Sequence, residues 1–230
     1  KQWLIPVDKK RKAELFLHLY REKRWSQVLV FAKTRKGVDE LEQALLAEGI
    51  AADAIHGDKP QPTRLRALQR FKQGEVRVLV ATDVAARGLD IVELPLVVNF
   101  DLPIVAEDYV HRIGRTGRAG ATGQAVSLVC ADEVEHLAAI ETLINQVIQR
   151  VDEPDFIPDH RVPVTQAGGV VLKKPKKPKQ KLIPGSGKAA GKGKIHLGNW
   201  FEEDDTPKAK AVRKVPSFAG KPGKGGGRKP

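Results

Sequence analysis

Short unbroken apolar runs constrain this chain more than any other feature. They are separated by stretches whose apolar residues recur every three or four positions. "QVLVFA" (27–32), "VRVLVAT" (76–82) and "LPLVVNF" (94–100) have continuous apolar cores, the mark of strands covered on both faces in a parallel sheet. "IAADAIHG" (50–57) and "GQAVSLVCA" (123–131) read as two further strands. Helical periods lie between them. "VDKKRKAELFLHLYREKR" has Asp8 as N-cap and an apolar face of Leu15, Phe16 and Leu19. "TRKGVDELEQALLAEG" aligns Val38, Leu41, Leu45 and Leu46, with Gly49 as its stop. "QPTRLRALQRFKQG" turns Leu65, Leu68 and Phe71 inward, admits Pro62 in its first turn and stops at Gly74. "VAEDYVHRIG" is a short helix, and "DEVEHLAAIETLINQVIQR" (132–150) a long amphipathic one. Strands alternating with helices give an α/β fold. The expected architecture is an open, mostly parallel sheet with helices on both faces.

The pattern stops near residue 150. Of the formal charge of +12, residues 1–150 contribute +2 and residues 151–230 contribute +10. Two parts follow: a folded domain over 1–150 and a Lys/Gly/Pro-rich basic tail over 151–230, expected to be disordered because it buries too little surface. A basic tail on a nearly neutral globule points to an anionic polymer, nucleic acid first. One island, "IHLGNWFEEDD" (195–205), interrupts it, and Trp200 and Phe201 there are read as incidental or as a docking site for a protein partner. The single cysteine, Cys130, excludes an intrachain disulfide framework and reads as a buried small hydrophobe. No apolar run approaches a membrane span, and no signal-peptide pattern is present. A cytoplasmic location without membrane contact is expected. The chain contains no methionine, so it reads as part of a longer protein.

"YVHRIGRTGRAG" (109–120) places Arg112, Arg115 and Arg118 at intervals of three among Gly114, Gly117 and Gly120. A solvated basic helix end explains the charge but not the glycines. A polyphosphate ligand supplying the missing counter-charge explains both. In open parallel sheets, ligands bind beyond the carboxyl ends of the strands. "KTRKG", "HG" (56–57) and "ATDVAARGLD" fall there, and the arginine run lies in a helix after the strand at 94–100.

Four segments, in order, resemble the motifs of a DEAD-box RNA helicase, specifically its C-terminal RecA-like domain. "VLVFAKTRKGVDEL" is similar to motif IV, "HGDKPQPTRLRALQRFKQG" to the block after it, "VLVATDVAARGLDI" to motif V and "YVHRIGRTGR" to motif VI. The resemblance covers roughly residues 1–150. It implies ATP with Mg²⁺ as cofactor, held mainly by an N-terminal RecA-like domain of the same protein, and RNA as substrate. It implies that Arg115 and Arg118 reach the γ-phosphate, with Arg118 as arginine finger. His111 would couple the nucleotide site to the first domain, and Asp90, beside Gly88, would bond the ribose. Thr34, Gly57, Gln61, Arg64, Thr82 and Asp83 would line the RNA backbone, although Asp83 also suits a turn cap, Gly57 a tight turn and Arg87 an internal ion pair. Pro60 departs from the small residue that the family places before Gln61. The tail resembles that of bacterial RhlE-type members.

No G-x-x-x-x-G-K-[ST] phosphate loop and no DEAD tetrapeptide occur in the 230 residues. The chain is therefore read as the C-terminal half of an ATP-dependent helicase, inactive alone, with a tail that binds RNA without sequence preference. An RNA-binding or interaction module, or half of a related DNA helicase, are the competing readings. No metal ligands of its own are expected.

Overall fold

Successive residues of the central strands point into different hydrophobic clusters, and this decides where the helices lie. In a computed structural model, residues 1–87, 91, 93–117, 123–166, 168 and 170–172 are described. β1 (Gln2–Pro6), β2 (Val28–Phe31), β3 (Ala52–Ile55), β4 (Val78–Ala81), β5 (Leu96–Asn99), β6 (Gln124–Val129) and β7 (Gln149–Arg150) form one sheet, ordered β3-β4-β2-β5-β6-β1-β7. Every pairing in it is parallel. Val28 and Val30 of β2 pack with α1 (Lys12–Glu22) and α2 (Arg35–Ala47). Leu29 and Phe31 pack on the other face, with α3 (Gln61–Lys72) and α4 (Asp83–Ala86). Farther along that second face, Leu4 and Val129 pack with Tyr109 of α5 (Ala106–Ile113) and with Leu137 and Ile140 of α6 (Val134–Leu143). A short antiparallel hairpin, β8 (Val164–Gln166) with β9 (Val170–Leu172), follows.

The open parallel sheet with helices on both faces is the architecture expected, but several details differ. The five expected strands are present, and β1 and β7 join them at one edge. β1 is a short terminal run closed by Pro6, and β7 hides inside the long helix expected over 132–150. That helix ends at Leu143. Asn145 takes a left-handed conformation (φ 50°), which asparagine tolerates better than most residues. Ile148 is then buried, its N–H donating to Glu141 Oε1 at 2.9 Å. Gln149 and Arg150 pair with Trp3 and Leu4. The open edge of β1 thus captures residues whose local pattern is helical. Leu46 and Leu65 are exposed, not buried as their spacing suggested. Each lies about 100° or more around its helix from the centre of the buried face, which in α3 is formed by Ala67, Leu68 and Phe71.

Gly49 and Gly74 terminate α2 and α3 with φ of 73° and 77°, the left-handed conformation that glycine adopts without strain. Cys130 is buried as expected, and burial, with Lys12 opposing it, pushes its thiol up to about 12. Asp8 does not cap with its side chain. Its carboxylate accepts instead from the N–H groups of Asp159 (2.8 Å) and His160 (3.1 Å). With Phe156 and Val162 buried in the core, packing continues past the boundary drawn at residue 150. Residues 173–230, including Trp200 and Phe201, lie outside the described residues.

A lysine, Lys12, is enclosed at the start of α1. Its three ammonium donors reach Phe100 O (2.8 Å), Asp101 Oδ1 (3.0 Å) and Glu133 Oε2 (2.7 Å). Burial opposes its charge, yet Asp101 and Glu133 outweigh burial and raise its pKa. Burial likewise opposes ionisation of Asp101, but Lys12, the Lys33 N–H and Arg112 hold its carboxyl below the ordinary value. We expect Lys12→Met to cost about 3–5 kcal/mol, since it leaves buried carboxylates unpaired; urea unfolding at neutral pH measures this. The depressed Asp101 contributes stability that is complete above the ordinary aspartate pKa of about 3.9 and is lost as pH falls through its folded value. Asp101→Asn should flatten that acid limb. An unchanged limb would place the acid sensitivity elsewhere.

Candidate functional site

Because all seven strands run parallel, the segments following β2, β3, β4 and β5 emerge at one edge of the sheet. α5 lies across this edge, presenting its residues at two levels. Tyr109 and Arg112, one turn apart, face inward and are buried. The Tyr109 hydroxyl donates to Gln2 Oε1 at 2.9 Å, and burial pushes its pKa up to about 12. His111 is exposed.

Arg112 is 2% exposed. Its Nε and Nη2 donate to the two oxygens of Asp83, each at 2.6 Å. Nη1 donates to Asn99 Oδ1 (3.1 Å) and Asp101 O (2.7 Å), and the guanidinium carbon lies 4.9 Å from the centre of the Phe31 ring. Asn99 Nδ2 continues the network to Ser127 Oγ at 3.1 Å. The counter-charge missing from the arginine run is, for its first member, an aspartate 29 residues away. The ligand-based account of that charge therefore fails for Arg112. Among the described glycines of the run, Gly117 also has a local cause. Gly117 adopts φ 66°. At Gly123, a Cβ would lie 2.3–2.5 Å from atoms of Thr116 and Gly117, so two backbone segments close on each other there.

Contrary to expectation, the arginine run is not helical throughout: Arg115 lies two residues beyond the end of α5. Its carbonyl accepts from Leu94 N (3.0 Å), while Leu94 and Thr116 form a parallel bridge. Its Nη1 lies 3.5 Å from Ile91 O, and its side chain helps line a cleft with Asp83, Arg87, Asp108, His111 and Arg112. Arg87 makes the internal ion pair weighed from sequence, its Nη2 donating to both oxygens of Asp108 at 2.7 and 2.9 Å. Gly88, Asp90 and Arg118 lie outside the described residues.

The other expected residues stand along the same edge. Thr34 Oγ1 accepts from Gly37 N at 2.9 Å and caps α2; its own O–H remains a donor. Gly57 is exposed beyond β3. Before it, buried His56 accepts at Nδ1 from Asp58 N (3.3 Å), so its Nε2 carries the proton shared with Asp39 Oδ1 at 2.9 Å. Gln61 opens α3, with Pro60 preceding it in extended conformation and Pro62 in the first turn. Arg64 donates from Nη2 to Ala85 O at 3.2 Å, and its Nε has no protein partner. Thr82 is 8% exposed and precedes α4, with no cap bond from its side chain. Asp83 serves Arg112 rather than capping a turn.

A profile for the helicase conserved C-terminal domain matches residues 11–120. DEAD-box ATP-dependent RNA helicase CshA of Bacillus subtilis is 46% identical over 153 residues, covering 66% of this chain and 31% of that protein. CshA of Geobacillus kaustophilus is 45% identical over the same length, covering 33% of that protein. The matched region thus spans about a third of these relatives. Among solved structures, Escherichia coli DEAD-box protein SrmB bound to regulator of ribonuclease activity A superposes with TM-score 0.66 at 38% identity, covering 71% of this chain and 96% of that one. A DEAD box protein of Methanococcus jannaschii gives 0.62 at 39% identity, covering 66% and 41%.

Arg112→Ala leaves the Asp83 carboxylate and the Asn99 amide without their partner. We expect it to destabilise the domain by about 3–5 kcal/mol in urea unfolding. His111→Ala, at an exposed position one residue away, should stay within about 0.5 kcal/mol of wild type. Equal effects at the two positions would refute the inward and outward division of α5.

Proposed function

Because this chain belongs to the DEAD-box RNA helicase family, as a C-terminal RecA-like domain, we propose that it forms half of an ATP-dependent RNA-unwinding enzyme. ATP and Mg²⁺ would sit chiefly on an N-terminal RecA-like domain of the same protein, since these 230 residues hold no phosphate-loop sequence. Arg115 and Arg118 would reach the γ-phosphate from this side, with Arg118 as the finger. Phosphoryl transfer spreads negative charge over the phosphate oxygens, and a guanidinium fork stabilises that charge. His111 couples the nucleotide to the first domain, while Gly88 and Asp90 hold the ribose. The observation that carries this reading is the cleft at the carboxyl edge of the sheet. His111, exposed on α5, and Arg115, two residues past the end of that helix, line it together with Arg112, whose guanidinium is bonded to both oxygens of Asp83.

RNA would run along the same edge, over Thr34, Gly57, Gln61, Arg64, Thr82 and Asp83. A hydroxyl, main-chain N–H groups and one guanidinium suit phosphates and 2′-hydroxyls, which position a strand without reading its bases. The first-turn N–H of Gln61 has no intrahelical acceptor and suits such a contact despite Pro60. Asp83 serves RNA through its main chain, because its carboxylate is committed to Arg112. The parent enzyme would be cytoplasmic; no helix among the described residues is long and apolar enough to cross a membrane. Assignment to the RhlE branch rests on tail composition, and a protein partner at Trp200 and Phe201 on sequence alone.

We expect the 230-residue chain to show no RNA-stimulated ATPase, and fusion to a phosphate-loop domain of the family to restore it. In that two-domain enzyme, Arg118→Ala should lower kcat by roughly 10³-fold or more with unchanged circular dichroism. Turnover by the chain alone, or near-normal turnover in the variant, would overturn the reading.

The tail, with net charge +14 over residues 161–230, should bind single-stranded RNA by counterion release, each neutralised phosphate adding about 0.7 to the salt slope. A truncation that tests this must follow residue 172, because Val162 is buried and Arg150 Nη1 donates to its carbonyl at 2.8 Å. Residues 1–172 should bind more weakly than 1–230 and with a shallower slope. Equal affinities and slopes would assign RNA binding to the domain edge.

A further inference from the structure

On the face of the domain covered by α1, three potential metal ligands converge from distant parts of the sequence. His18 and Glu22 stand one turn apart on α1, and Glu153 opens the 3₁₀ turn Pro154–Phe156. One ligand atom from each lies within 4.8 Å of the other two. His18 Nε2 is 3.3 Å from Glu22 Oε2 and 3.4 Å from Glu153 Oε1.

These separations are long for a charge-assisted hydrogen bond, whose N···O distance is about 2.7–2.9 Å. They suit the edges of a metal's coordination polyhedron. Zinc holds nitrogen and carboxylate oxygen at about 2.0–2.2 Å, so a tetrahedral centre sets its ligand atoms roughly 3.3–3.5 Å apart. His18 Nε2 is closed to solvent and makes no well-formed hydrogen bond. Glu153 is 15% exposed and Glu22 48%, so two carboxylates meet His18 in a half-open place, where a cation between them would offset their mutual repulsion. The Phe156 ring, 5.2 Å from the imidazole centre, walls one side, and Arg11 covers that ring at 4.4 Å.

We propose that His18, Glu22 and Glu153 bind a Zn²⁺-like dication, with water as the fourth ligand. An imidazole among the donors selects borderline transition metals over Mg²⁺, which prefers an all-oxygen octahedron. Lys23 Nζ, 3.4 Å from Glu22 Oε2, is the competitor that the ion displaces at an exposed position. The ion ties α1 to the segment leading out of the domain, at the seam where Asp8 already holds Asp159 and His160. This site is independent of the nucleotide cleft. It also departs from the sequence expectation of no metal ligands: 131 residues separate Glu22 from Glu153, so only the i, i+4 pair was legible.

The test uses the full 230-residue chain, stripped by chelation and titrated with ZnCl₂ by calorimetry. One equivalent should bind and raise the melting temperature, and Co²⁺ in its place should show the visible bands of a four-coordinate site. Glu153→Gln and His18→Ala should each weaken binding by at least the roughly 10–100-fold seen for outer-shell changes. His196→Ala, in the tail, should not. Glu153→Gln is isosteric and near the surface, so it keeps the test decisive if His18→Ala fails to fold. An unaltered isotherm in Glu153→Gln, loss only in His196→Ala, or no stoichiometric binding by wild type would overturn the site.

Discussion

One enclosed guanidinium organises the functional edge of this domain. Arg112 rises from α5 and takes both oxygens of Asp83 after β4, the amide of Asn99 at the end of β5, and the carbonyl of Asp101 just beyond it. It does so over the ring of Phe31 at the end of β2. Three adjacent strands thus have their carboxyl ends fixed relative to α5. Parallel strands end in loops without hairpin partners, and a planar fork with fixed donor directions can hold several such ends at once.

Asp101 connects that network to a second buried cation. Its carbonyl accepts from Arg112, one side-chain oxygen from Lys12 and the other from the Lys33 N–H. Lys12 belongs to a helix on one face of the sheet and Arg112 to a helix on the opposite face. The two layers therefore meet through polar contacts at the edge where α2 begins with Thr34. Such pairs contribute little net stability relative to apolar packing, because desolvation offsets much of the attraction. Their consequence here is position: removing either cation strands carboxylates that have no other partner of like strength.

Electrostatics also separates residues that look alike in sequence. Arg112 and Arg115 share a motif and a spacing. Both border the cleft beside His111, but Arg112 is buried and bonded to an aspartate, whereas Arg115 is half-buried beyond the end of α5. Arg87 and Asp108 close on each other at the rim of the same cleft through two contacts. That pair is solvent-exposed on the Arg87 side, where ion pairs are weak and readily exchanged.

The sequence by itself determined the alternation of strand and helix, the five strands β2 to β6, the helix stops at Gly49 and Gly74, and the family through its four motifs. Each of these is a local signal: apolar run length, a 3.6-residue period, or a residue tolerant of positive φ. Tertiary structure alone decided the rest. The open edge of β1 drew Gln149 and Arg150 out of a helical pattern. The width of the buried faces left Leu46 and Leu65 in solvent. Asp83 became the partner of Arg112, and Asp8 that of Asp159 and His160. Glu153 came to stand against His18 only because the segment after β7 folds back over α1. In every such case the deciding contact spans at least 29 residues or depends on which side of a helix meets the sheet, and neither is encoded in any short window of the chain.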